Sequence, residues 1–375
     1  MKTLGIYVHI PFCASKCYYC DFYSCVTKNE TQQNYVASLI KEIINSANKF
    51  KNYNIDTIFI GGGTPSVLTP GLIPLIVNTI KNHFNVLNNA EITMEANPNS
   101  ISYESALEWF NCGINRVSVG LQSSSNKLLK LINRIHTFND YTNAINHLKA
   151  VGFKNINTDV MLGLPRQKAS DVKHTIKNAS KFSTHISCYT LILEENTPLY
   201  NMVKNGELKL PKETKTLSLF NYAIKLLNKN GFNRYEVSNF CLDGFKCVHN
   251  YNCWKLKPYV GFGASAHSFV NGYRYNNIAN IEKYITNINS GASIIEEKHK
   301  SNKTELLEEY LMLGLRLSEG INLDYIKKTF GVDLLVTKQK EISELKKLNL
   351  IEIKNNNLSA LKGFRVLNQI ILMLV

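Results

Sequence analysis

The sequence predicts an α/β fold: an open, partial (β/α)6 barrel followed by a smaller C-terminal domain that is helical and winged-helix-like. Short β-rich runs alternate with helix-period segments, the pattern of parallel βα units. Polar or glycine-rich loops follow those runs. Beyond about residue 295 the alternation gives way to successive amphipathic segments. A chain of 375 residues with 44% hydrophobic content can bury a full core and suggests one large domain plus a smaller one. The expected division is 1–200 for the barrel, 201–295 for a barrel extension and 296–375 for the C-terminal domain.

Strands are expected at 5–10, 56–60, 91–95, 115–120, 155–161 and 185–192. Between the first two lies NYVASLIKEIINSANKF, in which Tyr35, Leu39, Ile43 and Ala47 share one helical face. In the C-terminal third, LLEEYLMLGLRL, NLDYIKKTF and QKEISELKKLNL read as amphipathic helices, and LIEIKNNNLSALKGF as a short hairpin with a polar tip. The apolar run Val366 to Val375 is interrupted by Asn368 and Gln369 and reads as a core-packing terminal helix. No stretch reaches the roughly 18 apolar residues of a spanning helix.

The N-terminus MKTLGIYVHIPFC lacks the apolar run and cleavage site of a secretory signal, so the chain is expected in the cytoplasm. In a reducing compartment its nine cysteines are expected as ligands, catalysts or packing residues rather than bridges. The formal charge of +14 comes from lysines scattered along the whole chain, with no dense basic stripe interleaved with aromatics. No specific nucleic-acid partner is expected. The mixed-charge helix KQKEISELKKLNL reads as a solvated packing helix rather than a DNA-recognition face.

The stretch PFCASKCYYCDFYSC places Cys13, Cys17 and Cys20 directly after the first strand, where parallel α/β folds put their chemistry. Gly61, Gly62, Gly63 and Thr64 follow the second strand, and Glu95, Gln122 and Asp159 lie at the ends of later ones. These loops should converge on one mouth. A structural zinc site would need Cys25 or His9 as a fourth ligand. A 4Fe-4S cluster held by three thiolates would instead keep one iron open for a substrate. Phe12, Tyr18, Tyr19 and Phe22 interleave with the cysteines and either shield a cluster or pack the core.

The segments YVHIPFCxxxCxYCDF, GGGTPS, ITMEANP, RVSVGLQS and DVMLGLP resemble the radical S-adenosylmethionine (SAM) enzymes. They resemble most the branch that holds oxygen-independent coproporphyrinogen III oxidase and the HemW heme chaperones, over roughly residues 4–270. The resemblance implies a 4Fe-4S cluster on Cys13, Cys17 and Cys20, with SAM on the open iron and split by the reduced cluster. It places Tyr7, Gly62, Gly63, Thr64 and Glu95 around SAM. Gln122, Arg134 and Asp159 fall in the same region, in some members beside a second SAM. Each residue has a plainer reading: the glycines as a permissive turn, the carboxylates as helix caps, Arg134 as a surface cation.

Oxidases of this branch carry an N-terminal extension and a further cysteine two residues after the third. Here twelve residues precede Cys13, and Phe22 stands at the extra cysteine's place. The stretch CVHNYNCWKLKPYVGFGASAHS resembles the heme-binding motif HNxxYW of the chaperones, matching His249, Asn250 and Trp254, with Cys253 in place of the tyrosine. That implies heme on His249 and Trp254, with Cys253 a small buried residue and His267 part of a turn. The family reading is a heme chaperone that delivers heme to apo-hemoproteins such as respiratory enzymes. Its alternatives are oxidative decarboxylation of coproporphyrinogen III and a zinc-bearing binding module. An electron donor is implied if SAM is cleaved; peripheral membrane contact and a homodimer stay open.

Overall fold

The computed structural model describes residues 2–26 and 29–375. Six strands run parallel and pair in chain order: β1 (Lys2–Ile10), β2 (Tyr53–Gly62), β3 (Asn85–Ala96), β4 (Arg116–Gln122), β5 (Asn155–Leu162) and β6 (His185–Thr190). Each contains or overlaps one of the predicted runs. In β1, Leu4, Ile6, Val8 and Ile10 are fully buried against the outer helices, so the alternate residues Gly5, Tyr7 and His9 face the concave side. The helix Asn29–Ala47 supplies Tyr35, Val36, Leu39 and Ile43 to that outer core, the face expected from its periodicity.

The sheet is larger than six strands. Two short strands, β7 (Asn233–Arg234) and β8 (Asn239–Cys241), extend it antiparallel beyond β6. On the other edge β9 (Tyr259–Phe262) joins β1 in parallel, and β10 (His267–Val270), β11 (Tyr273–Asn277) and β12 (Ile295–Lys300) continue antiparallel. The result is one twelve-stranded sheet, ordered β12-β11-β10-β9-β1-β2-β3-β4-β5-β6-β8-β7. These added strands have two to six residues and little alternation, too short for a periodicity signal.

Buried polar groups bind this extension to the barrel. The Glu42 carboxylate accepts from Gly263 N (2.8 Å), Asn277 Nδ2 (2.9 Å) and Tyr284 Oη (2.5 Å). Burial pushes this carboxyl up to about 7 against the effect of those donors. Gly263 has φ +98° and faces His9 O, where a Cβ would sit at 2.6 Å, so the turn before β10 requires glycine.

The C-terminal domain has its own core, built by the helices Lys303–Gly314, Leu323–Phe330 and Gln339–Lys347 around Leu315, Ile326, Ile342 and Leu345. A small antiparallel sheet of β13 (Ile321–Asn322), β14 (Glu352–Lys354) and β15 (Asn357–Ser359) forms the wing. Asn355 and Asn356 turn the hairpin with φ of 49° and 60°, the left-handed pair that tight hairpins favour. The terminal helix Leu367–Leu374 buries Leu367, Ile370, Ile371 and Leu374 in this core. Among the described residues no helix is long and apolar enough to cross a membrane, and all nine cysteines are free thiols.

Candidate cluster and cofactor site

The chain leaves β1 into a loop that returns on itself. Cys13 N donates to Cys25 O (2.9 Å) and Cys25 N to Pro11 O (2.8 Å), so Cys25 closes the loop through its backbone. Cys20 N bonds Cys17 O (3.2 Å) in a tight turn. Cys13, Cys17 and Cys20 thereby line one cavity of about 530 Å³, shared with Gly62, Gly63, Thr64, Glu95, Gln122, Arg134 and Asp159. Among the described residues no three His, Cys, Asp or Glu are placed to hold a single metal ion. Three thiols, with no fourth cysteine and no histidine among the residues lining the cavity, fit an iron-sulfur cube that keeps one iron open better than a structural zinc, which takes four protein ligands.

The loop after β2 is stitched to the cysteine loop. Gly63 N donates to Ile10 O (2.8 Å) and Thr64 N to Phe12 O (2.7 Å). A Cβ on Gly63 would lie 2.6 Å from Phe12 O and 2.9 Å from Ile10 O, closer than backbone atoms tolerate. The glycine run is therefore an obligatory close approach of two loops. Thr64 Oγ1 lies 3.5 Å from Cys13 Sγ and accepts from Asn97 Nδ2 (3.1 Å). Gly62 N donates to Glu95 Oε2 (3.2 Å). Burial, and then the negative charge of Asp159, push the Glu95 carboxyl up to about 7.

Arg134 is a wall residue rather than a surface cation. Its Nη2 donates to Asn97 Oδ1 (2.6 Å) and Gly120 O (2.7 Å), and its Nη1 to Cys17 Sγ (3.5 Å). Asp159 accepts from Asn157 Nδ2 (2.7 Å) and from Ser118 Oγ (3.4 Å), and burial raises its pKa. A register shift between Gly120 and Gln122 ends β4 with Gln122 at φ 64°, where its Oε1 accepts from Tyr189 Oη (3.0 Å). Two carboxylates, one guanidinium and the backbone of Gly62 and Gly63 thus line a space suited to a small molecule that carries both charges.

Three expected site residues lie elsewhere. Tyr7 faces the concave side close to Glu95 but is outside the cavity lining, its Oη 3.0 Å from His9 Nδ1 and its ring stacked on Phe59. His249, expected on heme, is turned into the barrel at 5% exposure. Its Nδ1 is 2.9 Å from Thr57 Oγ1, and its ring lies against Phe59 at 5.3 Å. The reason is Glu91, whose carboxylate caps the helix Val248–Trp254 by accepting from Val248 N (2.8 Å) and His249 N (3.0 Å), drawing that end of the helix inside. Trp254 faces the opposite side, in a groove of about 330 Å³ with Asn250, Cys253, Tyr259 and Arg274. The structure thus separates His249 from Trp254.

Cys253 lies in that groove with its thiol pushed up to about 12 by burial. Phe22 is 65% exposed at the mouth of the main cavity, and Tyr19 lies inside it. Asn97, Ser118 and Tyr189 line the cavity and were not singled out from sequence. Asn97 and Ser118 were findable, lying two residues after Glu95 and two before Gly120 on inward-facing positions.

Comparison with known proteins accords with this geometry. Residues 7–179 match the radical SAM superfamily, and residues 302–360 match the HemN C-terminal domain. The chain is similar to the heme chaperone HemW of Lactococcus lactis, 35% identical over 92% of this chain and 89% of that protein. It is similar also to HemW of Bacillus subtilis, 33% identical over 88% of this chain and 87% of that protein. The solved structure of coproporphyrinogen III oxidase (HemN) from Escherichia coli covers 100% of this chain and 90% of its own, with a TM-score of 0.86 at 20% identity. At that identity the likeness shows the fold.

Proposed function

The chain belongs to the HemW family within the radical SAM superfamily, and from that premise we propose that it is a heme chaperone that also holds a 4Fe-4S cluster and SAM. Its cargo is heme, passed to apo-hemoproteins, respiratory enzymes among them. The cluster and SAM are supported by the one cavity in which three thiols, the glycine loop and the Glu95, Arg134 and Asp159 side chains meet, and the heme cargo by the likeness to the HemW chaperones. Cys13, Cys17 and Cys20 would hold the cluster, which when reduced supplies an electron to SAM. The Gly62 and Gly63 backbone gives close approach, Glu95 accepts the ammonium of SAM, and Asp159 accepts a hydroxyl or a second ammonium. Arg134 holds the Asn97 amide and the Cys17 thiol in register.

Glu95→Gln is expected to weaken SAM binding by about tenfold or more, since a hydrogen bond to a charged group contributes about 1.5–3 kcal/mol. Wild-type affinity should rise as pH increases through about 7, because the raised Glu95 pKa leaves the carboxyl protonated and unable to pair below that point. The variant should lose this dependence. Equilibrium SAM titration of the reconstituted protein between pH 6 and 8 checks both; equal binding by the variant removes Glu95 from the pocket.

Heme titration and anaerobic coproporphyrinogen III turnover, run on the same reconstituted preparation with SAM and a reductant, test the chaperone reading. Heme should bind and coproporphyrinogen should persist. Robust turnover without specific heme binding would put the oxidase first. Trp254→Ala should weaken heme uptake by removing the aromatic wall of the groove. His249→Ala should leave the heme absorption spectrum unchanged and lower stability by about 2–4 kcal/mol, as expected for emptying a buried, hydrogen-bonded position. A spectrum altered in His249→Ala would instead require the helix Val248–Trp254 to swing outward and present its imidazole to iron.

A further inference from the structure

Beneath the cavity floor, a buried chain of hydrogen bonds runs from Asp159 toward the base of the barrel. Asn157 Nδ2 donates to Asp159 Oδ1 (2.7 Å) and to Ser118 Oγ (2.7 Å). Asn157 Oδ1 is 2.6 Å from His185 Nδ1 and accepts from Ser187 Oγ (3.2 Å). His185 Nε2 is 2.8 Å from Tyr235 Oη, and Tyr235 Oη accepts from Cys247 N (3.4 Å). His185 is 1% exposed, Asn157 1% and Tyr235 5%. Register places Asn157 directly opposite His185 on the paired strands β5 and β6.

The chain has one consistent direction. An ionised Asp159 only accepts, so the Asn157 amide nitrogen must face it, and the Asn157 oxygen must face His185. His185 must therefore carry its proton on Nδ1, leaving Nε2 to accept from the Tyr235 hydroxyl. Burial and the nearby Arg116 charge hold the His185 pKa well below its ordinary value, which keeps the ring neutral.

We propose that His185 is a positioning residue for the SAM site: as the neutral Nδ1–H tautomer it holds Asn157 with its amide donors toward Asp159, and so keeps that carboxylate ionised and aimed into the cavity. This rests on the reading of Asp159 as a SAM ligand. Without His185 the Asn157 amide can rotate and turn its oxygen on the carboxylate, replacing a donor that favours ionisation with an acceptor that opposes it. The other ionisable groups acting on Asp159 are Glu95 from β3, Arg116 from β4, Arg134 and Tyr189. None of them replaces the lost donor.

The test is the SAM dissociation constant of the reconstituted full chain between pH 6 and 9, with cluster content and melting temperature recorded for each variant. His185→Phe should weaken SAM binding most at the acid end of the range, by at most about tenfold, the ceiling set by a rise of about one unit in the Asp159 pKa, and should recover toward pH 9. His185→Asn, whose amide can occupy the Nδ1 position and donate to Asn157, should restore much of the affinity at pH 7. Tyr235→Phe, which frees Nε2 without emptying the core, should shift the profile in the same direction and serves if His185→Phe does not fold. Asp159→Asn binding SAM like wild type overturns the reading of Asp159 and this inference with it. If Asp159→Asn loses affinity while the His185 and Tyr235 variants keep the wild-type profile, or lose affinity equally at every pH, the positioning role alone is overturned.

Discussion

Cys17→Ala is expected to abolish stable 4Fe-4S loading, while Cys25→Ala leaves it intact. Cys17 lines the cavity with its thiol next to the Arg134 guanidinium, and a three-ligand site has no spare donor. Cys25 lies outside the cavity lining and closes the loop through its N–H and C=O, which alanine retains. Its own thiol reaches only Pro11 O, at 3.6 Å. Iron and labile-sulfide analysis after anaerobic reconstitution decides the matter. Stoichiometric zinc without iron or sulfide in the wild type would remove the cluster assignment altogether.

Gly63→Val should cost both SAM affinity and cluster loading. The added side chain would meet the carbonyl oxygens of Ile10 and Phe12 and the amide of Phe12, backbone atoms that cannot rotate aside as a side chain would. Either the bond from Gly63 N to Ile10 O breaks or the loop that carries Cys13 shifts. Overpacking of this kind costs typically about 1–3 kcal/mol, and here it falls on the geometry of a ligand site. A variant with wild-type iron content and SAM affinity would show that the two loops are free to separate.

Much of the barrel was legible because a parallel strand covered on both faces is an apolar run of recognisable length, and each of the six predicted runs falls within or overlaps one of β1 to β6. The strands β7 to β12 were not, because they are short, and what selects them is pairing with an edge that the local sequence does not describe. The cavity residues were legible where a loop follows a strand: Cys13, Gly63, Glu95, Gln122 and Asp159 were named from position alone and line one space. Arg134 could not be separated from a surface cation until its guanidinium was seen on Asn97, Gly120 and Cys17.

By itself the sequence determined the six strands of successive βα units, the three-cysteine loop and the glycine run after the second strand, since these depend on alternation and on spacing within a few residues. Only the tertiary structure decided the orientation of the helix Val248–Trp254, which sends His249 to Thr57 and Trp254 to the outer groove. It alone assembled the chain from Tyr235 through His185 and Asn157 to Asp159, whose members come from three separated segments. The physical reason is the same for both. A buried polar group must find a partner wherever the fold supplies one, and Glu91 lies 157 residues from Val248 along the chain, beyond any local pattern.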